Sequence, residues 1–460
     1  MKYLLTILFF ICAWLSSFLT HGSEGVWQAG VASVNITPSY SMWLAGYASR
    51  EGPSEGKIHD IWAKALALSD EAGNRGVLVT TDLSGISKEV SDKIRDQLQK
   101  GLGLERKQIL LNSSHTHSGP LLMRPGMHTY TVTPEDLALV TRYTEELTDK
   151  IVQMVVKAFE NLQTARIYSS NGVTRFQVNR RNNVEATLEQ QSELSGPMDH
   201  AVPVLKVENM EGDLMAIAFG YACHPTVLNI NRFSGDWPGF AQIELERAHP
   251  GAVALFFQGA GGDQNPLPRR TIPLARQYGR TIAAAVERVM EEGMEELSSD
   301  FQATYREIEL DLNTAPTREE LEHFCEEVQG YYLRWGKRIL GQMDANHTFA
   351  DSYTYPLQVW RIGQQTLFAM GGEAVVGYAI GLKKIFGHNV FVLGYSNDVM
   401  AYIPTATILQ EGRYEGATSQ FASGMHGTWA YDTEVKIMGN LVDMAKVIGV
   451  PIPGNNLLDH

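Results

Sequence analysis

Two histidines two residues apart, His115 and His117, follow a short apolar run at 109–111 in the segment QILLNSSHTHSGP (108–120). In an extended backbone residues i and i+2 face the same side, so the two imidazoles could serve one metal ion or one reacting group. The triplet reads equally as a hydrogen-bonded histidine pair in a polar loop. Other metal-capable side chains also stand where apolar runs stop. His224, in YACHPT, ends the run 216–221, and Glu373 follows Gly371 and Gly372 after 367–370. Each has a structural alternative: His224 as a buried residue fixed by Pro225, Glu373 as an acidic residue opening a helix at 374–386. Taken together, two histidines and a carboxylate on separate strand ends match a catalytic zinc site that keeps a position open for water or substrate. The chain holds three cysteines and no four-cysteine pattern, so any metal must be held by histidine and carboxylate ligands.

The elements that would position these residues alternate between strand and helix. The spans 61–68 and 76–81 predict a strand pair joined by DEAGNR, and 26–47 a strand, a turn at Thr37-Pro38 and a loop. Helical spacing is expected over 87–102, over 134–162 behind the start signal Thr133-Pro134-Glu135, over 274–290, and over a charged stretch, 318–343. Further strands are expected at 202–207, 214–223, 252–258 and 389–393, with a hairpin of 357–362 and 366–370 around 363–365. Such interleaving implies one mixed α/β domain, 23–460, with a large mixed sheet flanked by helices. Ligands then bind outside the carboxyl ends of parallel strands, where the loops converge.

An apolar fraction of 44% and a charged fraction of 20% over 460 residues are those of a folded globular protein, and a formal charge of −14 argues against a nucleic-acid binder. Residues 1–22 read as a secretory signal, a Lys2 start followed by an apolar run, which implies a secreted or periplasmic protein with no membrane span after cleavage. A retained anchor is the alternative, because the run approaches spanning length. Cys223 and Cys325 then remain, enough for one disulfide at most.

The motifs GVASVNITP…LAGYASR, NSSHTHSGP, YACHPT, FQGAGGDQNP, GGE, SND, Tyr402 and YEGA (414–417) occur in an order that resembles the catalytic domain of the neutral/alkaline (non-lysosomal) ceramidase family. These are amidases that release the fatty acyl chain from N-acyl sphingoid bases. The resemblance implies a Zn2+ ion held by His115, His224, Glu373 and Tyr402, the last standing twelve residues before Tyr414 as in that family. It implies that His117 lies near the scissile carbonyl, that Tyr414 polarises it, and that Arg180, next to Arg181 in VNRRNN, assists. Two features depart from the family pattern. Asn265 stands where the family loop carries a serine, and the chain ends soon after Val450, without the expected C-terminal immunoglobulin-like domain. Asparagine forms no acyl-enzyme, so the expected attack is by metal-activated water oriented by Asp263 or Asn265.

The reading is a zinc-dependent amidohydrolase acting on a small-molecule or lipid N-acyl substrate, its oligomeric state open. One alternative is a zinc enzyme of the same fold acting on an N-acyl sugar, glycan or ester; another is a non-catalytic metal-containing binding protein. Trp43, Tyr47, Trp237 and Trp335 could stack on sugar, bury lipid or simply pack the core.

Overall fold

The computed structural model describes residues 26–453, and the expected signal segment lies outside the described residues. In chain order the strands are β1 (Trp27–Asn35), β2 (Trp62–Ser69), β3 (Arg75–Thr81), β4 (Ile109–Ser113), β5 (Gln163–Val173), β6 (Gln177–Asn179), β7 (Ala201–Asn209), β8 (Leu214–Tyr221), β9 (Val253–Gln258), β10 (Gln264–Pro266), β11 (Glu295–Glu296), β12 (Phe301–Asp311), β13 (Ser352–Ile362), β14 (Gln365–Met370), β15 (Glu373–Ala374), β16 (Phe391–Leu393) and β17 (Tyr402–Ile403). The α-helices are α1 (Lys88–Leu102), α2 (Pro134–Glu160), α3 (Asp236–Ala248), α4 (Ile272–Glu291), α5 (Arg318–Glu327), α6 (Gly330–Asp344), α7 (Val376–Phe386), α8 (Ala406–Glu411), α9 (Gln420–Ser423) and α10 (Thr433–Val447).

The apolar alternation of the strands builds layers. One mixed sheet runs β4-β3-β2-β1-β5-β7-β8-β9, with β11 beside β5, and a second runs β12-β13-β14-β16. In the first sheet Ala63, Ala65, Val77, Val79, Ile109 and Leu111 pack with Val90 and Ile94 of α1 and Leu147 and Ile151 of α2. The intervening residues Leu66, Leu78 and Leu110 point the other way, into a layer completed by Trp360, Ile362, Leu367 and Phe391 of the second sheet. The second sheet's opposite face, Val359, Phe368 and Val392, is covered by Tyr378 of α7 and Leu441 of α10. Because side chains of a strand alternate faces, four layers result: helices, sheet, sheet, helices. Each buried Val, Leu or Ile side chain contributes about 1.5–3 kcal/mol, so both sheet faces hold the frame.

The expected class holds: mixed sheets flanked by helices, here two sheets that face each other. The helical stretch expected over 318–343 is built as a pair, α5 and α6. Gly330 takes a φ of +64° where the chain reverses, and a Cβ on Gly336 would come within 2.5 Å of the Cys325 sulfur, so the two helices pack closely against each other. Cys325 is therefore engaged in that hairpin and Cys223 is buried at the end of β8; both are free thiols and form no disulfide. Two long strands, β5 and β12, were absent from the expected elements because their half-polar residues lack a continuous apolar run.

Candidate metal centre

The carboxyl ends of β4, β9 and β16 meet where the two sheets approach each other, with bridges Asn112↔Ser396 and Gly259↔Leu393. Asn112, fully buried, ties all three strands: its Oδ1 accepts from the Gln258 N–H at 2.7 Å, and its Nδ2 donates to Gly394 O at 2.9 Å and Ser396 Oγ at 3.1 Å. Three residues later the chain turns through His115, a non-glycine residue with φ +64°, a conformation that costs of order 1–3 kcal/mol and persists only where its surroundings demand it. The extended backbone expected through the His-Thr-His triplet is therefore corrected. The rings of His115 and His117 meet because the chain turns, their centroids 4.8 Å apart and their planes at 81°.

His224 follows β8, whose partner β9 is parallel, and Glu373 and Tyr402 sit directly opposite each other in the parallel pair β15–β17. These elements bring the expected ligand atoms to one point. His115 Nε2 lies 3.1 Å from Glu373 Oε2, and His224 Nε2 lies 3.2 Å from both Glu373 Oε2 and Tyr402 Oη. Tetrahedral zinc with ligand bonds near 2.0–2.1 Å has ligand–ligand edges of ~3.3–3.4 Å, so the cluster is sized for such an ion. The far nitrogens agree: His115 Nδ1 lies 2.5 Å from Ser84 O and His224 Nδ1 2.7 Å from Gly261 O. An Nδ1–H donated to a carbonyl leaves the Nε2 lone pair free for a metal and fixes the ring.

His117 stands within the same cluster, its Nε2 3.1 Å from His115 Nε2, and the three imidazoles together could hold an ion. It differs in one respect: its Nδ1 is buried without a hydrogen-bond partner. Its ring is placed by Tyr47, packed edge-to-face with ring centroids 4.7 Å apart, and by Gly46, where a Cβ would come within 2.5 Å of the imidazole.

Burial lowers the His224 pKa to about 4 and holds that of His117 well below its usual value, with the neighbouring histidines adding to the effect. Burial acts to raise Glu373, but the facing His115 charge and the hydrogen bonds from His115 and His224 outweigh it and hold the carboxyl well below its usual range. An ionised Glu373 is the state a carboxylate ligand requires.

Tyr414 opens a single π-turn, Tyr414–Thr418, and its ring meets Tyr402 edge-on at 5.3 Å. It is 41% exposed and lines the cavity over the cluster, and burial of its hydroxyl with the nearby Glu373 charge pushes its pKa up to about 12. The phenol thus keeps its proton near neutral pH. The Arg180 guanidinium lies 5.4 Å from the ring centres of both Tyr402 and Tyr414. Its Nε donates to Glu415 Oε1 at 2.7 Å, while Arg181 takes Oε2 of the same carboxylate at 2.6 Å and also reaches Glu411. Of the two arginines, Arg180 is the one beside the tyrosines.

Two expected residues lie behind this group. The Asp263 carboxylate accepts from the Val376 N–H at 2.8 Å and from Asn179 Nδ2 at 3.0 Å, so it fastens the loop to the start of α7 instead of facing the cavity. Asn265 is buried, with its Oδ1 3.4 Å from Arg180 Nη1. Of the expected aromatics, Tyr47 borders His117, whereas Trp43, Trp237 and Trp335 are core residues. Sequence reasoning gave no role to Asn112, Glu415 or the carbonyls of Ser84 and Gly261. A buried asparagine just before the histidines and an acidic residue within YEGA were the available signals.

The ligand cluster opens into a cavity of about 100 Å³, roofed by Arg124, Tyr130, Tyr331 of α6 and Ser423 of α9. No described helix is long and apolar enough to cross a membrane.

Residues 27–269, more than half of the chain, match the family described as neutral/alkaline non-lysosomal ceramidase, N-terminal. The matched residues include His115, His117 and His224; Glu373, Tyr402 and Tyr414 lie beyond them. The chain is 30% identical over 286 residues to neutral ceramidase A of Dictyostelium discoideum, covering 56% of this chain and 39% of that protein. With the neutral ceramidase of Drosophila melanogaster it shares 25% identity over 270 residues, 54% of this chain and 37% of that protein. It thus spans about two fifths of the length of these curated relatives. The crystal structure of neutral ceramidase from Pseudomonas aeruginosa has the same fold, with a TM-score of 0.71 at 22% identity over 92% of this chain and 74% of that one.

Proposed function

The chain belongs to the neutral/alkaline non-lysosomal ceramidase family, and on that premise we propose that it is a secreted or periplasmic zinc-dependent hydrolase of N-acyl amide bonds. The observation that carries this reading is the convergence of His115, His224, Glu373 and Tyr402, with two Nδ1 atoms locked on backbone carbonyls.

In this reading those four residues hold the ion. Zinc bound there would supply Lewis acidity and activate water near neutral pH. The side chains around it supply the rest. Tyr414, protonated and open to the cavity, donates its hydroxyl hydrogen to the carbonyl oxygen as negative charge develops there. Arg180 adds a fixed positive charge behind the tyrosine, held in place by Glu415. His117, whose Nε2 stands at the cluster and whose ring lines the cavity, carries the proton from the attacking water to the departing amine. With an amide at Asn265 the route passes through no acyl-enzyme, because the side chain offers no nucleophile. Asn265 orients Arg180 and Asp263 fastens the loop.

The substrate is an N-acyl compound with an apolar acyl chain. Mass spectrometry of N-acyl sphingosines, N-acyl amino acids and acetylated sugars after incubation with the protein tests this. Free fatty acid from the N-acyl compounds is expected; acetate from sugars alone, or no product from any of them, contradicts the reading.

A further inference from the structure

The cavity over the metal cluster is lined by one cationic side chain, Arg124, and by one carboxylate, Glu373, which belongs to the ligand set. Arg124 is half-buried, and among the described residues it makes no hydrogen bond and no ion pair within 4 Å. Its neighbours in the roof are different. Arg334 donates to the carbonyls of His128 and Thr129, both at 2.7 Å, and Arg338 donates to Gly424 O at 2.8 Å. Neither has a carboxylate partner among the described residues. All three arginines stand close enough to His128 to oppose its protonation, which burial already disfavours, and its pKa falls to about 4. In a chain of formal charge −14 this roof is a local positive field with one guanidinium still free to bind.

Arg124 also lines a second cavity of about 170 Å³, which shares Met400 and Ser423 with the first and adds Leu312, Val399 and Met425. Lys88, Glu89 and Asp398 also border that second cavity, and neither carboxylate forms an ion pair with Arg124 within 4 Å. An anion is thus favoured on the metal side of Arg124 and an apolar group on the other.

Resting on the hydrolase reading above, we propose that the preferred substrate is an N-acyl compound whose amine-side fragment bears a carboxylate, bound by Arg124 with the acyl group directed toward Met400 and Met425. Guanidinium–carboxylate pairing is charge-assisted and geometrically selective, so it discriminates against uncharged amides.

The test compares N-octanoylglycine with N-octanoylethanolamine, which carries the same amide but no charge, on the zinc-loaded wild type and on Arg124→Gln. Wild type should favour the glycine conjugate in kcat/KM by about 10- to 100-fold, the range for loss of a hydrogen bond to a charged group. In R124Q the loss should fall mainly on KM for that conjugate and exceed any change seen with the ethanolamide, with zinc content and melting temperature unchanged. Equal rates for the two substrates in wild type, or a preference that survives in R124Q, overturn the proposal. Calorimetric binding of N-octanoylglycine separates it from the hydrolase reading. Arg124-dependent binding without turnover keeps the anion site and defeats the hydrolase; binding that R124Q leaves unchanged defeats the anion site.

Discussion

The Nε of Arg180 donates to Oε1 of Glu415 at 2.7 Å, while the other oxygen of that carboxylate receives Arg181, so one buried acid holds two arginines. Removing its charge leaves Arg180 without a carboxylate partner and Arg181 with Glu411 alone, where side-chain exposure is 20% for Arg180 and 5% for Arg181. Breaking a buried pair costs about 3–5 kcal/mol. Glu415→Gln, which keeps one acceptor, should cost somewhat less, on the order of 2 kcal/mol, read from the urea midpoint. It should also lower kcat more than it raises KM, because Arg180 is loosened behind Tyr414.

Tyr414→Phe removes the hydroxyl and leaves the ring that packs on Tyr402. Loss of one donor to a developing oxyanion costs about 100- to 1000-fold in kcat. Steady-state kinetics should show that loss with little change in KM, and elemental analysis should show the same zinc content as wild type. A variant with unchanged kcat would remove Tyr414 from the reaction.

Gly46→Ala tests the placement of His117. The glycine has φ +98°, and a methyl group there would come within 2.5 Å of the imidazole, so either the ring or the 46–53 loop must move. Activity should fall at least tenfold while zinc stays bound, since the Nδ1 locks of His115 and His224 are untouched. Loss of zinc in this variant would instead make His117 part of the ligand set.

Asp398 gives a pH dependence with a definite sign. Burial raises its pKa to about 7, against an ordinary 3.8, even though Tyr353 donates to it at 2.7 Å. The folded protein therefore binds a proton that the unfolded chain releases, and stability is lost as pH rises from about 4 through about 7. Asp398→Asn should match wild type near pH 4 and exceed it at pH 8 by on the order of 3 kcal/mol. Thermal melts across that range provide the measurement. A constant difference between the two proteins would contradict the assignment.

Much of this was legible in the sequence for local reasons. Thr133-Pro134 starts α2 where the cap signal places it, because the Thr133 side chain accepts from Asp136 N and proline suits the first helical turn. Strand ends carrying His115, His224 and Glu373 were visible because apolar runs stop abruptly in metal-capable side chains. The meeting of those ends was not legible. It depends on two sheets packing face to face and on Asn112 tying β4, β9 and β16, contacts that span 146 to 284 residues of sequence. The turn at His115 was hidden for the same reason: no local residue pattern demands φ +64° there. Asp263, expected to orient water, caps a helix start instead, and nothing within GGDQNP reveals that its partner is Val376.

The most direct test of the central claim is zinc content and amide hydrolysis measured together in wild type, His115→Ala and His224→Ala. About one zinc per folded wild-type chain is expected, with metal and fatty-acid release lost together in both variants while the fold persists by circular dichroism. A folded wild type that cleaves N-acyl substrates without metal, or variants that lose zinc and keep their activity, would contradict it.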